Sequence, residues 1–248
     1  MSVFKQLASS VFRRFGFEVR RFPPSPQSLL LHYFTMEAGL SRARARGIEI
    51  GTVIDVGASN GCWTELCLKF YPEAFFYLIE AQSLHEPALR ALKQRTPRMD
   101  YVIAAAGNKC GRIYFEASGP FGGLASDTPF TNNCIEVAET TVDVEAQTKE
   151  LEPPFLLKLD THGFEKSILE GAQDTLDKTN LVIIEAYNFK VAETSIAFYQ
   201  LCSYMTERGF RVIDIVDLML RQKDLSFWQM DLFFVRSDRP EFLNNSFV

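Results

Sequence analysis

The fold of this chain is decided by one short stretch, Asp55-Val56-Gly57-Ala58-Ser59-Asn60-Gly61. It overlaps an apolar run, residues 52–56, whose pattern is typical of a buried strand, and it precedes a helical pattern over residues 62–70. In an open α/β sheet, the turn between the first strand and the first helix is a nucleotide-binding position. Small residues there let a ligand approach the backbone closely. The stretch therefore predicts an α/β fold with a nucleotide-type ligand at this turn.

The spacing of the two glycines restricts the class of ligand. The pattern D-x-G-x-x-x-G is neither the G-x-G-x-x-G of dinucleotide sites nor the G-x-x-x-x-G-K-[ST] of phosphate-binding loops. A nucleoside triphosphatase is therefore disfavoured. The carboxylate of Asp55 would repel a pyrophosphate and attract a cation. S-adenosylmethionine carries a sulfonium and an ammonium group and no phosphate, so we expect it as the cofactor.

A second acidic residue supports this expectation. Glu80 ends the next strand pattern, 19 residues after Gly61. An acid at that position can accept hydrogen bonds from both hydroxyls of an adenosine ribose. Because nicotinamide cofactors contain the same ribose, a nicotinamide-dependent oxidoreductase stays open as an alternative. Purely structural roles also stay open, with Asp55 as a partner of the following helix and Glu80 as a surface acid.

The rest of the chain alternates between short apolar runs and helical patterns. Strand patterns cover residues 75–80, 101–106, 156–160, 181–185, 210–215 and 231–235, and helical patterns cover residues 86–95, 165–176 and 195–208. This alternation predicts an α/β fold with a mostly parallel sheet covered on both faces. The last two strands are expected to form a terminal antiparallel pair.

One region interrupts the alternation. Between residues 107 and 148 the sequence predicts strands at residues 112–117 and 140–144 and a flexible loop at residues 118–123. Long irregular connections beside a parallel sheet often carry function. We therefore expect part of the substrate pocket wall in this region.

Length and composition exclude several classes of protein. The chain has 248 residues, of which 47% are hydrophobic and 23% charged, so it can bury a core and is not generally disordered. No apolar run approaches the roughly 18 residues that suggest a membrane span. The five cysteines form no C-x-x-C pair, which disfavours a disulfide framework or a zinc cluster. A reducing, cytoplasmic location is therefore expected.

The N-terminal part differs in charge from the remainder. Residues 1–50 contain eight basic and three acidic residues, a net charge of +5, so the chain total of −5 leaves −10 for the other residues. The acidic body argues against nucleic acid as a partner. Helical patterns near the start and over residues 27–46 predict an N-terminal helical appendage, residues 1–48. Residues 1–21 can contact an anionic membrane surface peripherally, or pack on the body or on another subunit of a homo-oligomer.

Taken together, the motifs resemble those of the FkbM family of S-adenosylmethionine-dependent methyltransferases. The matching segments are residues 55–61, 77–81, 158–165, 168–172, 183–185 and 231–235. The resemblance implies a Rossmann-like class I methyltransferase domain, residues 49–248, with a seven-stranded, mostly parallel sheet in the order 3-2-1-4-5-7-6. It also implies O-methylation of a sugar, glycan or natural-product hydroxyl, so that the partner is a small-molecule or saccharide acceptor. A catalytically silent cofactor-binding module is the other alternative.

The resemblance and the strand ends together nominate the site residues. The cofactor-binding candidates are Asp55, Gly57, Ala58, Ser59, Asn60, Gly61, Glu80, Ala81, Ala105, Ala106 and Asp160. The catalytic candidates are His162, as general base, and Asp160. The family often has an acid at the position of His162, which bears on the identity of the base. Glu185 and Lys158 are substrate-binding candidates. No metal is expected, and a divalent ion between Asp160 and Glu185 is the less favoured alternative.

Overall fold

A computed structural model describes residues 32–120 and 122–247 of the chain. The chain divides into two compact units, residues 1–33 and 34–248, and every strand and helix named below belongs to the second. The helix predicted near the N terminus and the predicted membrane contact of residues 1–21 lie outside the described residues, as does the start of the second predicted helix. The predicted division of the chain into residues 1–48 and 49–248 stays a prediction.

The described residues form two sheets and seven α-helices. The strands are β1 (Thr52–Val56), β2 (Phe75–Glu80), β3 (Met99–Ile103), β4 (Ala105–Ala106), β5 (Gly111–Gly119), β6 (Gly122–Ser126), β7 (Cys134–Thr140), β8 (Phe155–Leu159), β9 (Thr179–Tyr187), β10 (Phe210–Leu220) and β11 (Phe227–Arg236). The helices are α1 (Met36–Ala45), α2 (Cys62–Leu68), α3 (Glu86–Arg95), α4 (Val142–Thr148), α5 (Glu165–Glu170), α6 (Gln173–Leu176) and α7 (Phe198–Glu207).

The main sheet has seven strands in the order β3-β2-β1-β8-β9-β11-β10. Numbered within this sheet alone, the order is 3-2-1-4-5-7-6, so the predicted fold class is confirmed. Strand β11 runs antiparallel to both of its neighbours, and the other pairs are parallel. The carboxyl ends of β1, β2, β8 and β9 therefore meet at one edge of the sheet, where ligands bind in this class of fold.

Both faces of the main sheet are covered, because alternate residues of the buried strands point to opposite sides. On one face Val53, Leu156 and Phe233 pack with side chains of α1, α2 and α3. On the other face Ile54 and Leu157 pack with side chains of α4, α5, α6 and α7. Helices therefore cover both faces of the sheet, and the turns at its carboxyl edge follow strands that are packed in the core.

The region between residues 107 and 148 differs most from its prediction. It contributes to a separate four-stranded sheet in the order β4-β7-β5-β6. The strand predicted at residues 140–144 is wrong, because helix α4 begins at Val142. The hydroxyl of Thr141 accepts a hydrogen bond from Val144 N at 3.1 Å. This helix cap offsets the strand preference of the β-branched residues around it.

Two other predicted elements are divided. The strand predicted over residues 101–106 ends at Ile103, and Ala105 and Ala106 join the small sheet as β4. The helix predicted over residues 165–176 is interrupted at Gly171, where a Cβ atom would lie 2.1 Å from the carbonyl oxygen of Gly107. The backbone between α5 and α6 therefore packs directly against the segment that follows β4.

Helix α1 packs on the main sheet. A Cβ at Gly39 would lie 2.8 Å from Val216, so the helix backbone comes close to the sheet. Arg42 Nε lies 2.6 Å from a carboxylate oxygen of Asp214 on β10, and Arg46 lies 3.0 Å from the same oxygen. These ion pairs hold α1 against the edge strand. In the part of the chain that the structure describes, no helix is long and apolar enough to cross a membrane.

Candidate active site

A cavity of about 300 Å³ lies at the carboxyl edge of the main sheet. Its walls come from the turns after β1, β2 and β8, from residues 104–106 and from the β5–β6 hairpin. The polar and small residues that line it include Gly57, Ser59, Glu80, Ala81, Gln82, His85, Ala105, Ala106, Asp160, Thr161 and His162. The cavity thus brings together cofactor-binding candidates from β1 and β2 and catalytic candidates from the turn after β8.

The turn after β1 is held in a conformation that requires glycine. Gly57 has φ +78°, and its N–H donates to the carbonyl of Ile79 at 2.9 Å. A Cβ at this position would lie 2.1 Å from the carbonyl oxygen of Asp160. The turns after β1 and β8 are therefore in direct backbone contact, and any side chain at Gly57 would separate them.

The replacement Gly57→Ala is expected to destabilise the fold by about 2–5 kcal/mol, because a left-handed alanine costs about 1–2 kcal/mol and the forced shift of a packed neighbour about 1–3 kcal/mol. Urea denaturation measures the loss. Gly47→Ala is the matched control, since Gly47 has φ +68° and a Cβ added there would meet no described atom within 4 Å. Equal losses for the two variants would contradict the clash at Gly57.

Glu80 is buried at the cavity wall and organises the backbone around it. One carboxylate oxygen accepts a hydrogen bond from Ser59 N at 2.6 Å, and the other accepts one from Gln82 N at 2.7 Å. The residue is 5% exposed. Each carboxylate oxygen has a second lone pair, so Glu80 can still accept hydrogen bonds from the hydroxyls of a ligand.

Asp55 lies beneath the cavity rather than in its wall. It is 1% exposed, and its carboxylate accepts a hydrogen bond from the hydroxyl of Thr64 on α2 at 2.6 Å. Burial raises the pKa of the Asp55 carboxyl to about 6. In the parallel pairing of β1 and β8, Asp55 lies opposite Lys158, and both side chains point to the face covered by α1, α2 and α3. The hydrogen bond between Asp55 and Thr64 therefore stabilises the packing of α2 on the sheet, next to the turn after β1.

The other predicted cofactor residues fall into two groups. Those that line the cavity are Gly57, Ser59, Ala81, Ala105, Ala106 and Asp160. Those that do not are Ala58, Asn60 and Gly61. Ala58 packs in the core, the side-chain oxygen of Asn60 accepts a hydrogen bond from Cys62 N at 3.2 Å, and Gly61 precedes α2 with φ +85°. The second group shapes the turn and the start of the helix.

His162 lines the cavity and has a carboxylate partner behind it. Its Nδ1 lies 3.1 Å from Glu185 Oε2 and 2.8 Å from the hydroxyl of Tyr187, which itself donates to Glu185. Nε2 has no hydrogen-bond partner among the residues that the structure describes. The hydrogen bond with Glu185 raises the pKa of His162 above its usual value. An imidazole held at Nδ1 by a carboxylate and open at Nε2 is the arrangement of a general base.

Lys158 is an ion-pair partner and does not line the cavity. The residue is 1% exposed, and Nζ lies 2.8 Å from Asp160 Oδ2 and 5.5 Å from the ring centroid of Trp63. Burial opposes the charge of Lys158, but Asp160 and other carboxylates raise its pKa overall. Burial likewise opposes ionisation of Asp160, and Lys158 keeps the pKa of that carboxyl below its usual value. The ammonium group therefore neutralises Asp160 at the cavity wall.

Three site residues were not predicted. Gln82 lines the cavity, and its buried Oε1 has no hydrogen-bond partner in the described part of the chain. His85 also lines it, with Nε2 2.7 Å from the carbonyl of Pro120 in the β5–β6 hairpin. The third residue is Tyr187, whose hydroxyl donates a hydrogen bond to Glu185. A signal for Tyr187 was available, since it lies two residues beyond Glu185 on the same strand, where alternate side chains share a face.

The β5–β6 hairpin forms another wall of the cavity. Phe115, Pro120, Gly123 and Ala125 from this region line the cavity. A Cβ at Gly123 would lie 2.4 Å from the ring of Phe115, so the two strands pack tightly there. Glu185 lies outside the cavity lining and reaches the site through His162. The region expected to wall the pocket thus lies against the cavity.

Comparison with known proteins places the chain in a family. The family model described as the methyltransferase FkbM domain matches residues 55–212. A search of curated proteins gives no match. Among solved structures, the methyltransferase FkbM from Methylobacillus flagellatus KT has a TM-score of 0.50 and 18% sequence identity, and the match covers 74% of this chain and 43% of that one. This chain thus corresponds to less than half of the length of that relative.

Two further solved structures match with lower TM-scores. An uncharacterized protein from Listeria monocytogenes serotype 4b has a TM-score of 0.48 and 10% identity, with 82% of this chain and 68% of that chain covered. Aeropyrum pernix fibrillarin, solved with natively bound S-adenosylmethionine, has a TM-score of 0.46 and 11% identity, with 78% and 74% covered. The family match spans more than half of the sequence and coincides with the cavity-forming strands and turns. The chain belongs to the FkbM family of S-adenosylmethionine-dependent methyltransferases.

Proposed function

We propose that this protein transfers a methyl group from S-adenosylmethionine to a hydroxyl of a sugar, glycan or natural-product acceptor. The family supports methyl transfer, and it disfavours the nicotinamide-dependent alternative. The choice of an oxygen acceptor rests on one observation: His162 lines the same cavity as Glu80, with Glu185 engaged at its Nδ1. A hydroxyl is a poor nucleophile, so its methylation benefits from a base beside the cofactor.

The proposed reaction is an in-line displacement. Glu80 would hold the adenosine ribose, and the acceptor would be held beside His162 in the same cavity. The acceptor oxygen attacks the methyl carbon, a carbon–oxygen bond forms, and the sulfur–methyl bond breaks to leave S-adenosylhomocysteine. The hydroxyl proton passes to Nε2 of His162, and Glu185 stabilises the resulting imidazolium through Nδ1–H. Alignment of the two reactants in the cavity supplies the remaining acceleration.

The proposal is tested in two stages. Calorimetric titration of the full chain with S-adenosylhomocysteine is expected to show one site. Transfer of a labelled methyl group from S-adenosylmethionine to a panel of sugars, glycosides and hydroxylated natural products, in EDTA and in several divalent salts, is expected to yield an alkali-stable methyl ether. Failure of a folded protein to bind S-adenosylhomocysteine would refute the proposal. Products methylated only on nitrogen or sulfur would refute the choice of oxygen, and binding without transfer would favour a silent module.

Partners and location stay proposals of the same kind. We expect a cytoplasmic enzyme with a small-molecule or saccharide acceptor and no nucleic-acid substrate. Peripheral membrane contact through residues 1–21 and assembly into a homo-oligomer also stay predictions. Co-sedimentation of the full chain with anionic vesicles, compared with a chain that begins at residue 34 and so keeps α1, separates the membrane contact from simple packing.

Gln82 provides a separate prediction about the cofactor end of the cavity. The replacement Gln82→Leu removes a buried oxygen that lacks a partner in the described part of the chain, and such an oxygen costs about 1–3 kcal/mol. We therefore expect the variant to unfold at a higher temperature and to bind S-adenosylhomocysteine more weakly, because the cofactor loses a hydrogen-bond acceptor. Thermal denaturation and calorimetry measure the two effects. A rise in both stability and affinity would show that Gln82 contacts no polar group of the cofactor.

A further inference from the structure

Three residues at the acceptor side of the cavity offer metal-ligand atoms close together. Asp160, His162 and Glu185 each provide one such atom, and all of these atoms lie within 4.8 Å of one another. Two of the residues follow β8 directly, and the third is on the neighbouring strand β9. We propose that these residues bind one divalent cation next to the methyl-transfer site. Its role in catalysis rests on the proposed function, whereas its binding does not.

The spacing fits a single ion. Two adjacent ligands of a six-coordinate ion lie about 3 Å apart when each is about 2.1 Å from the metal. Nδ1 of His162 lies 3.1 Å from Oε2 of Glu185. Lys158 occupies Oδ2 of Asp160, which leaves the other oxygen of that carboxylate for coordination. Since the three ligand atoms lie within 4.8 Å of one another, side-chain adjustment alone would bring them to one ion, with the strands that carry them left in place.

A third carboxylate gives an independent indication that a cation belongs here. Asp231 on β11 lies directly opposite Glu185 in the antiparallel β9–β11 pair. The β8–β9 register continues from Leu159 opposite Ile184, which sets Asp160 level with Glu185. The three acids therefore form a row across neighbouring strands, with their side chains on the same face.

Asp231 is the member of this row that lacks a partner. It is 9% exposed, and its side chain forms no hydrogen bond or ion pair with the residues that the structure describes. A buried carboxylate without a partner is costly unless a cation or donor is supplied. The ammonium of Lys158 lies 2.8 Å from Asp160 and is shared among the carboxylates that face it, Asp231 included. A divalent ion at the proposed position would add positive charge that this single ammonium does not supply.

The surroundings of Glu185 resemble those of metal-binding carboxylates. The hydroxyl of Tyr187 donates to one oxygen of Glu185, and the side-chain amide of Gln229 donates to the other. Such bonds orient a ligating carboxylate, and their loss typically lowers metal affinity about 10–100-fold. Mixed oxygen and imidazole ligands suit a transition-metal ion such as Mn²⁺. Because coordination would replace the proton on Nδ1 of His162, the ion-bound form and the form in which His162 acts as a general base exclude each other. Methyl transfer measured in EDTA and in Mn²⁺ shows which form is active.

Electron paramagnetic resonance of Mn²⁺ with the full chain tests the proposal. We expect one equivalent of protein to remove the signal of one equivalent of free Mn²⁺, and Glu185→Gln and His162→Asn each to weaken binding about 10-fold or more. Asp127→Asn is the matched control, since Asp127 is an exposed carboxylate paired with Lys109. It should bind Mn²⁺ as the wild type does.

Binding of S-adenosylhomocysteine in EDTA, measured on each variant, shows that the fold and the cofactor site are intact without the ion. No loss of free Mn²⁺ signal up to millimolar concentration in a protein that binds S-adenosylhomocysteine would overturn the metal site and leave the proposed function standing. Equal Mn²⁺ affinity of the wild type and Glu185→Gln would also overturn it. Failure of the wild type to bind S-adenosylhomocysteine would refute the proposed function instead.

Discussion

Replacing Glu80 with glutamine should weaken binding of S-adenosylhomocysteine at least about 100-fold. In the proposed complex each oxygen of this carboxylate accepts a ribose hydroxyl in addition to a backbone N–H, from Ser59 or Gln82. Glutamine replaces one carboxylate oxygen with an NH₂ group. At that position a hydrogen-bond donor then faces two other donors, the backbone N–H and the ribose hydroxyl. Hydrogen bonds to charged groups contribute about 1.5–3 kcal/mol each, and every 1.4 kcal/mol is about tenfold in affinity. One ribose bond is lost and the other is weakened because its acceptor no longer carries a charge, and the two changes together account for the expected effect.

The measurement is calorimetry on Glu80→Gln beside a matched control. Glu65→Gln removes a carboxylate from α2 that is exposed and paired with Arg95, away from the cavity. The control should retain wild-type affinity, and thermal denaturation should show that both variants are folded. A folded Glu80→Gln protein with wild-type affinity would mean that the ribose is bound elsewhere, and the placement of the cofactor would have to be abandoned.

Glu80 was predictable because two regular features coincide at it. A run of buried residues predicts β2, and the parallel arrangement brings the end of β2 to the same edge as the turn after β1. The residue at the end of a buried strand next to that turn reaches the ligand position in most such sheets. The same regularity made each strand of the main sheet visible as an apolar run, whereas the order of the seven strands was implied by the resemblance to the family.

Asp55 shows where this reasoning reaches its limit. It also lies near the end of a buried strand, but successive side chains of a strand point to opposite faces. Val56 faces the helical layer of α4, α5, α6 and α7, whereas Asp55 faces α2 and bonds to Thr64. The sequence predicts which strand end carries a carboxylate with an error of about one residue. A shift of one residue turns the side chain to the other face of the sheet, where it contacts a helix instead of a ligand. Lys158 follows the same rule and pairs with Asp160 on the Asp55 face.

The small sheet could not be predicted for a different reason. Its strands are short or half-exposed, so their burial pattern is weak. Their pairing depends on contacts distant in sequence, such as Ala105 with Glu139. Local patterns therefore identified β5 approximately and missed β6 and β7. The small sheet also forms part of the cavity wall expected to contact the acceptor. For this reason the sequence indicates the class of reaction more readily than the identity of the acceptor.

The second large effect is expected at His162. Replacing it with asparagine should lower kcat about 10²–10⁴-fold, the usual contribution of a general base. The affinity for S-adenosylhomocysteine should change little, because the imidazole acts on the acceptor. Asparagine is the appropriate replacement, since His162 has φ +52° and asparagine tolerates this left-handed conformation better than most residues. Steady-state kinetics and calorimetry on the same preparation separate the two quantities.

A structural role for His162 would give a different set of results. If the ring only held Glu185 and Tyr187 in place, His162→Asn would lower the unfolding temperature while kcat stayed near that of the wild type. Glycine also fits the backbone at this position, so His162→Gly leaves space for a small base. Added imidazole should then restore part of the activity if the ring transfers the proton. Because imidazole in solution cannot re-create a packing role, rescue of kcat without a change in unfolding temperature assigns the chemistry to the ring.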